Sequence, residues 1–254
     1  MSRAATASRA AKSSGSGICQ NTQSALTNYL KKSERPLVSL VFLLPLILIH
    51  EIGWRLEGVH LLAFQMLRQF CDALGASGPF IPALVLIVSL LGWHLARHDK
   101  WTVEINTLLG MALESILLAL PLLALAAGLA RWTWRPILAG LFDDRPGQIV
   151  IALGAGIYEE MIFRLILITL LNVLLIDLLK MPKIRGAILM VCVSGLAFSF
   201  YHYLGPERFS WRTCVFRTVA GMYFGAIFMC RGFGITAGCH AAYDCIVCAM
   251  LPIG

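Results

Sequence analysis

The chain has 254 residues, 58% of them apolar and only 14% charged, with a formal net charge of +7; its mean hydropathy is +0.76. A soluble domain carries roughly a quarter charged residues, so the composition excludes an ordinary water-soluble globule and fits one helical membrane domain. The positive charge would point to nucleic acid in a soluble protein, but here the basic residues fall mainly between apolar runs. They read as determinants of membrane orientation, and no nucleic-acid partner is expected.

Residues 1–34 are rich in Ser, Ala and Thr, with scattered Arg3, Arg9, Lys12, Lys31 and Lys32. They lack apolar periodicity and are expected to form a disordered basic tail, without the apolar core and cleavage site of a signal peptide. The membrane-embedded domain is expected over 35–254. Apolar runs follow at 37–54, 80–96, 105–129, 148–178, 186–204, 213–230 and 233–252. A span needs about 20 residues, so the chain reads as all-α: a polytopic transmembrane helical bundle of about seven spans. Residues 59–75 are too polar for another span and read as one interfacial helix. The run at 148–178 is longer than one bilayer crossing and is expected to tilt strongly or break near Asn172.

With seven spans and a cytoplasmic N-terminus, the inside segments carry the basic tail, Arg97, Lys100, Lys180, Lys183, Arg185 and Arg231. The basic residues of the outside loops are diluted by Glu57, Asp72, Asp143, Asp144 and Glu207. This bias predicts a multi-pass integral protein with its N-terminus inside, in the cell membrane for a bacterial chain; the basic loop at 205–217 runs against it. Gly221-x-x-x-Gly225 and Gly234-x-x-x-Gly238 predict close helix packing. The eight cysteines lie mostly in or beside apolar runs, where a thiol behaves as a small hydrophobe. Cys245-x-x-Cys248 lacks the strand-to-helix setting of a redox motif.

A charge at the centre of a spanning helix costs about 2.5–3.5 kcal/mol on insertion scales, so Glu159, Glu160 and Arg164 need a reason to be there. Glu160 and Arg164 are four residues apart and share a helix face, where they neutralise each other. Glu159 points about 100° away and keeps an uncommitted carboxylate. Phe198-x-x-x-His202 and His240-x-x-x-Asp244 follow in later spans. Ionisable residues in membranes face bundle interiors, so three helices are expected to bring Glu159, His202, His240 and Asp244 into one cavity. Taken singly, each cluster has a structural reading: a helix-fastening ion pair, a core histidine, an interhelical hydrogen bond. Glu51, Glu114 and Asp177 are also apolar-flanked acids and receive no chemistry. The runs themselves place His202 near the outer end of its helix and His240 nearer the inner end, so convergence needs shifted boundaries, a re-entrant loop or tilt.

In this order on successive helices, Glu159-Glu160-Met-Ile-Phe-Arg164, Phe198-Ser-Phe-Tyr-His202 and His240-Ala-Ala-Tyr-Asp244 resemble the CAAX-processing endopeptidase and bacteriocin-immunity (CPBP) family. The resemblance covers roughly 148–252 and implies an intramembrane endopeptidase of glutamic type, acting on a membrane-bound or lipidated protein or peptide, with the lipid bilayer as its setting. It implies no cofactor. Under it Glu159 is the general base on a water that His202 holds, and His240 donates to the oxyanion while Asp244 orients and charges it from behind. Glu160, Arg164 and Phe198 support the site. Two alternatives stand beside this reading. Glu159, His202 and His240 suit a zinc-dependent protease. A non-enzymatic transporter or immunity protein would use the buried charges as a relay, with Pro45, Pro82 and Pro121 supplying broken helices.

Overall fold

The computed structural model describes residues 23–58, 61–130, 145–205 and 207–250, and these are helical, with no strand among them. A helical segment at 23–33 precedes α1 (Pro36–Glu57), α2 (Leu62–Ala73), α3 (Ile81–Arg97) and α4 (Ile105–Ala130). The second half holds α5 (Pro146–Leu178), α6 (Lys183–Tyr201), α7 (Trp211–Arg231) and α8 (Phe233–Met250). The polytopic helical bundle is thus as the composition required.

Six helices among the described residues are long and apolar enough to cross a membrane: α1, α4, α5, α6 with its 3₁₀ extension, α7 and α8. The remaining run, 80–96, forms α3, which has 17 residues and falls short of the usual 20 or so. It starts with Pro82 in its first turn and stops where His98 turns left-handed, with φ 52°. The expected count of seven is therefore approximate. α2 is the expected amphipathic helix: Ala63, Phe64, Leu67 and Cys71 are buried, at the spacing of one helical face.

Two other expectations change. Of the two outcomes expected for the long run at 148–178, strong tilt or a break, the break at Asn172 does not occur. Residues Pro146–Leu178 form one helix of 33 residues, at most about 50 Å at ~1.5 Å per residue. It carries π turns at Ala155–Glu159, Met161–Ile168 and Val173–Leu178. Residues 23–33 are helical rather than disordered: Tyr29 meets Glu114 on α4 and Lys32 meets Glu104 just before it, partners that local composition does not reveal; residues 1–22 lie outside the described residues. The prolines break no helix: Pro45 and Pro121 sit inside α1 and α4.

α8 is the central element, packed against α1, α4, α5 and α7. Half of its apolar stretch is buried, against 22% for α4, whose Leu109, Leu113, Ile116 and Leu120 face outward as lipid-facing residues should. The small residues set the closest approaches. A Cβ on Gly221 would lie 2.8 Å from the Gly195 Cα, so α6 and α7 meet backbone to backbone. A Cβ on Gly234 would lie 2.7 Å from the Ser39 Oγ of α1 and one on Gly238 2.6 Å from the Ser115 Oγ of α4, so these two glycines make room for side chains. All cysteines among the described residues are free.

Candidate active site

α5, α6 and α8 meet around the π turns of α5, a distortion that recurs at functional sites because it re-aims side chains within a helix. Glu159 closes one π turn and Glu160 separates it from the next. Gly156 makes the approach possible: a Cβ there would lie 2.6 Å from the backbone nitrogen of Ala241, next to His240. The site thus rests on a contact between α5 and α8 that only glycine allows.

Glu160 and Arg164 are fully buried and paired, Nε to Oε2 at 3.0 Å. Burying two ions costs several kcal/mol each unless further bonds satisfy them, and both have such bonds. Arg164 donates through NH2 to the Gly221 carbonyl at 3.0 Å and lies over the Phe198 ring, 4.7 Å from its centroid. The second Glu160 oxygen, Oε1, faces His240 Nδ1 at 2.8 Å.

Glu159 is 5% exposed and has no such partner. Its Oε2 lies 3.8 Å from His202 Nε2 and 4.0 Å from His240 Nε2. Both distances exceed hydrogen-bonding range. His202, at the 3₁₀ turn ending α6, directs Nδ1 to the Phe198 carbonyl at 2.8 Å. His240 stacks on Phe224 with centroids 4.5 Å apart, and its Nε2 lies 3.3 Å from Asp244 Oδ2. The four residues expected to converge do so, together with Glu160, Arg164 and Phe198.

One feature differs from the sequence reading. The acid behind His240, on the nitrogen turned away from Glu159, is Glu160 and not Asp244. Asp244 flanks Nε2, on the side of the Glu159 carboxylate. The four-residue spacing placed His240 and Asp244 on one face correctly, but only the interhelical contact from α5 decides which nitrogen each acid meets. The reading also missed Tyr201 and Phe224. Tyr201 lay within the Phe198-x-x-x-His202 motif, where a polar aromatic beside a histidine was the available signal; Phe224 gave none in an apolar run.

Residues 144–246 match the family model described as type II CAAX prenyl endopeptidase Rce1-like. The matched segment, less than half of the chain, carries all the residues of the site. No curated protein and no solved structure matches the chain. The match agrees with the family that the three motifs resembled, and six described helices long and apolar enough to cross a membrane make the chain an integral, multi-pass membrane protein. At this site Glu159, His202 and His240 are the residues a metal would need. Among the described residues no group of three or more His, Cys, Asp or Glu is arranged to hold a metal ion.

Proposed function

We propose that the chain is an intramembrane endopeptidase of glutamic type that cleaves a lipidated protein of the CAAX prenyl class near its carboxyl terminus. The observation that carries this reading is the state of Glu159: a buried carboxylate with no arginine or lysine paired to it, facing His202 and His240 at 3.8 and 4.0 Å. These distances suit contact through a bridging water. His202 spends its Nδ1 proton on the Phe198 carbonyl, which can only accept, so in the neutral ring Nε2 is an acceptor. A water between Glu159 and His202 then meets two acceptors, with its lone pair turned outward.

In the reaction the water oxygen forms a bond to the scissile carbonyl carbon while its proton passes to Glu159. The carbonyl oxygen becomes the oxyanion. On collapse the C–N bond breaks and Glu159 returns the proton to the leaving nitrogen. Glu160 holds His240 through Nδ1 and is itself held by Arg164. The lipid bilayer supplies the substrate's setting, and the distribution of basic residues supports a cytoplasmic N-terminus.

The test is cleavage of a prenylated peptide ending in a CAAX sequence by the purified, reconstituted protein. Glu159→Gln is expected to lower it about 10³-fold while the protein remains folded. Retained cleavage in that variant would remove Glu159 as the base. Loss of activity with a chelator and its return with zinc would select the metal-dependent mechanism instead, and ion transport without cleavage the relay.

A further inference from the structure

Arg217 on α7 stands at the open end of the site. The side chains of His240 and Glu159 are 5 and 6% exposed, whereas those of His202, Arg217 and Asp244 are 21, 17 and 28% exposed. The mouth of the site therefore lies on the side of these three. The register of α7 agrees. Arg217 is four residues, about 6 Å of rise, from Gly221, whose carbonyl bonds Arg164. Its guanidinium carbon lies 5.9 Å from the centre of the Tyr203 ring, next in sequence to His202, and its charge bears on His202 and Tyr243.

This guanidinium is held but not saturated. NH2 donates to Glu207 Oε2 at 2.7 Å, while NH1 is shielded and donates to nothing. An arginine has five N–H donors, so one carboxylate does not satisfy it. A charged donor left buried without an acceptor is expensive, and such a group in a folded protein needs a reason. Arg164, whose charge also bears on His202, is fully enclosed and committed to Glu160. The acids at the mouth are engaged as well, Glu207 with Arg217 and Asp244 with His240 at 3.3 Å. From 207 to 217 the chain holds Arg208, Arg212 and Arg217 against a single acid, Glu207. This end of the site carries surplus positive charge and suits an anion.

We infer that Arg217 is the subsite for the free carboxylate at the end of the substrate, with Glu207 holding the guanidinium in place. This rests on the proposed cleavage of a CAAX-class chain. A C-a-a-X terminus has three residues after its prenylated cysteine, and they span at most about 11 Å when extended. A bond cleaved on that side lies within this reach of an α-carboxylate, which is ionised at neutral pH. The carboxylate accepts from Arg217 NH1, a rotation of the long side chain turning that nitrogen to the mouth. Such a charge-assisted bond distinguishes a chain end from an internal segment and sets the scissile bond in register with Glu159. Arg217 meets the end of the substrate and not the reacting atoms, so its contribution falls on KM.

The experiment follows cleavage of one prenylated CAAX peptide in two forms, free acid and carboxamide, by reconstituted wild type, Arg217→Met and Arg217→Lys. Wild type is expected to prefer the acid about 10–100-fold in kcat/KM, the scale of one hydrogen bond to a charged group, with the difference in KM. Arg217→Met should bring the acid-to-amide ratio to within threefold of one, which a packing defect, slowing both forms alike, does not do. Arg217→Lys replaces the fork that Glu207 and the carboxylate share with one ammonium, and its ratio should fall in between. Equal cleavage of acid and amide by wild type overturns the inference whatever the variants do. So does a wild-type ratio that persists in Arg217→Met or, should that protein not fold, in Arg217→Lys. Cleavage of neither form by wild type sinks the CAAX reading and the subsite with it; equal cleavage of both sinks the subsite alone.

Discussion

Glu114 and Glu159 are both acids within apolar helices, and their surroundings differ in kind. Glu114 on α4 accepts two bonds from Arg231, from Nε at 2.6 Å and NH2 at 2.9 Å, and a third from the Tyr29 hydroxyl. Arg231 also reaches Ser33 at 2.8 Å and Glu34 at 3.3 Å, while Lys32 meets Glu104 at 2.6 Å. The network clasps residues 23–34 to α4 and α7 and leaves the Glu114 carboxylate saturated. Burial first, then the bond and charge of Glu114, push the Tyr29 hydroxyl's pKa up, so it remains a donor over the working range. Glu51 is equally committed: it accepts from Tyr158 at 2.6 Å and Trp54 at 3.3 Å, and Arg55 lies 3.6 Å away. Glu159 has two histidines facing it and no arginine or lysine paired to it. An acid with its lone pairs filled is fastening; one with them open is available for chemistry.

That contrast can be broken at several points. The largest effect is expected at Glu159→Gln: cleavage should fall about 10³-fold, within the range for a lost general base, with the thermal unfolding midpoint nearly unchanged. A large loss of stability instead would mean that Glu159 is fastening after all. Arg164→Met leaves Glu160 buried without its cation and should destabilise by about 3–5 kcal/mol, read as a lower unfolding midpoint in detergent; His240 should lose its alignment, and activity with it. Gly156→Ala, which drives a methyl into the α8 backbone, should cost about 1–3 kcal/mol as overpacking does, and should impair cleavage by more than its stability loss explains. Glu114→Gln should cost about 1–2 kcal/mol, the scale of hydrogen bonds to a charged group, while kcat stays within twofold; proteolysis at 23–34 should become faster. Asp177→Asn sharpens the comparison from the other side. Asp177 is exposed near the end of α5, and a change within about 0.5 kcal/mol is expected, with no effect on cleavage.

Much of this organisation was legible in the chain. The cost of ionised groups in lipid singled out Glu159, Glu160 and Arg164, and four-residue spacing alone predicted the Glu160–Arg164 pair now seen at 3.0 Å. The same spacing placed His240 with Asp244, whose contact is 3.3 Å. Contacts between elements were not legible. Nothing local says that Glu51, Glu160 and Glu114 are satisfied by Tyr158, His240 and Arg231, because the second partner of each lies 107, 80 and 117 residues away. The hydropathy runs also set His202 and His240 at opposite depths. They meet at one Glu159 oxygen because hydropathy reports only the length of apolar chain, whereas α5 brings the two together through its π turns and its glycine contact with α8.

By itself, the sequence determined that this protein is a helical membrane bundle and which ionised residues must be sheltered inside it. Those conclusions follow from the free energy of transferring side chains and backbone into hydrocarbon, a property of composition and short-range spacing. Only the tertiary structure decided which sheltered acid is saturated and which is open, and which nitrogen of His240 each carboxylate meets. Those are distances between helices far apart in the chain, set by the π turns of α5 and by glycines that let backbones touch.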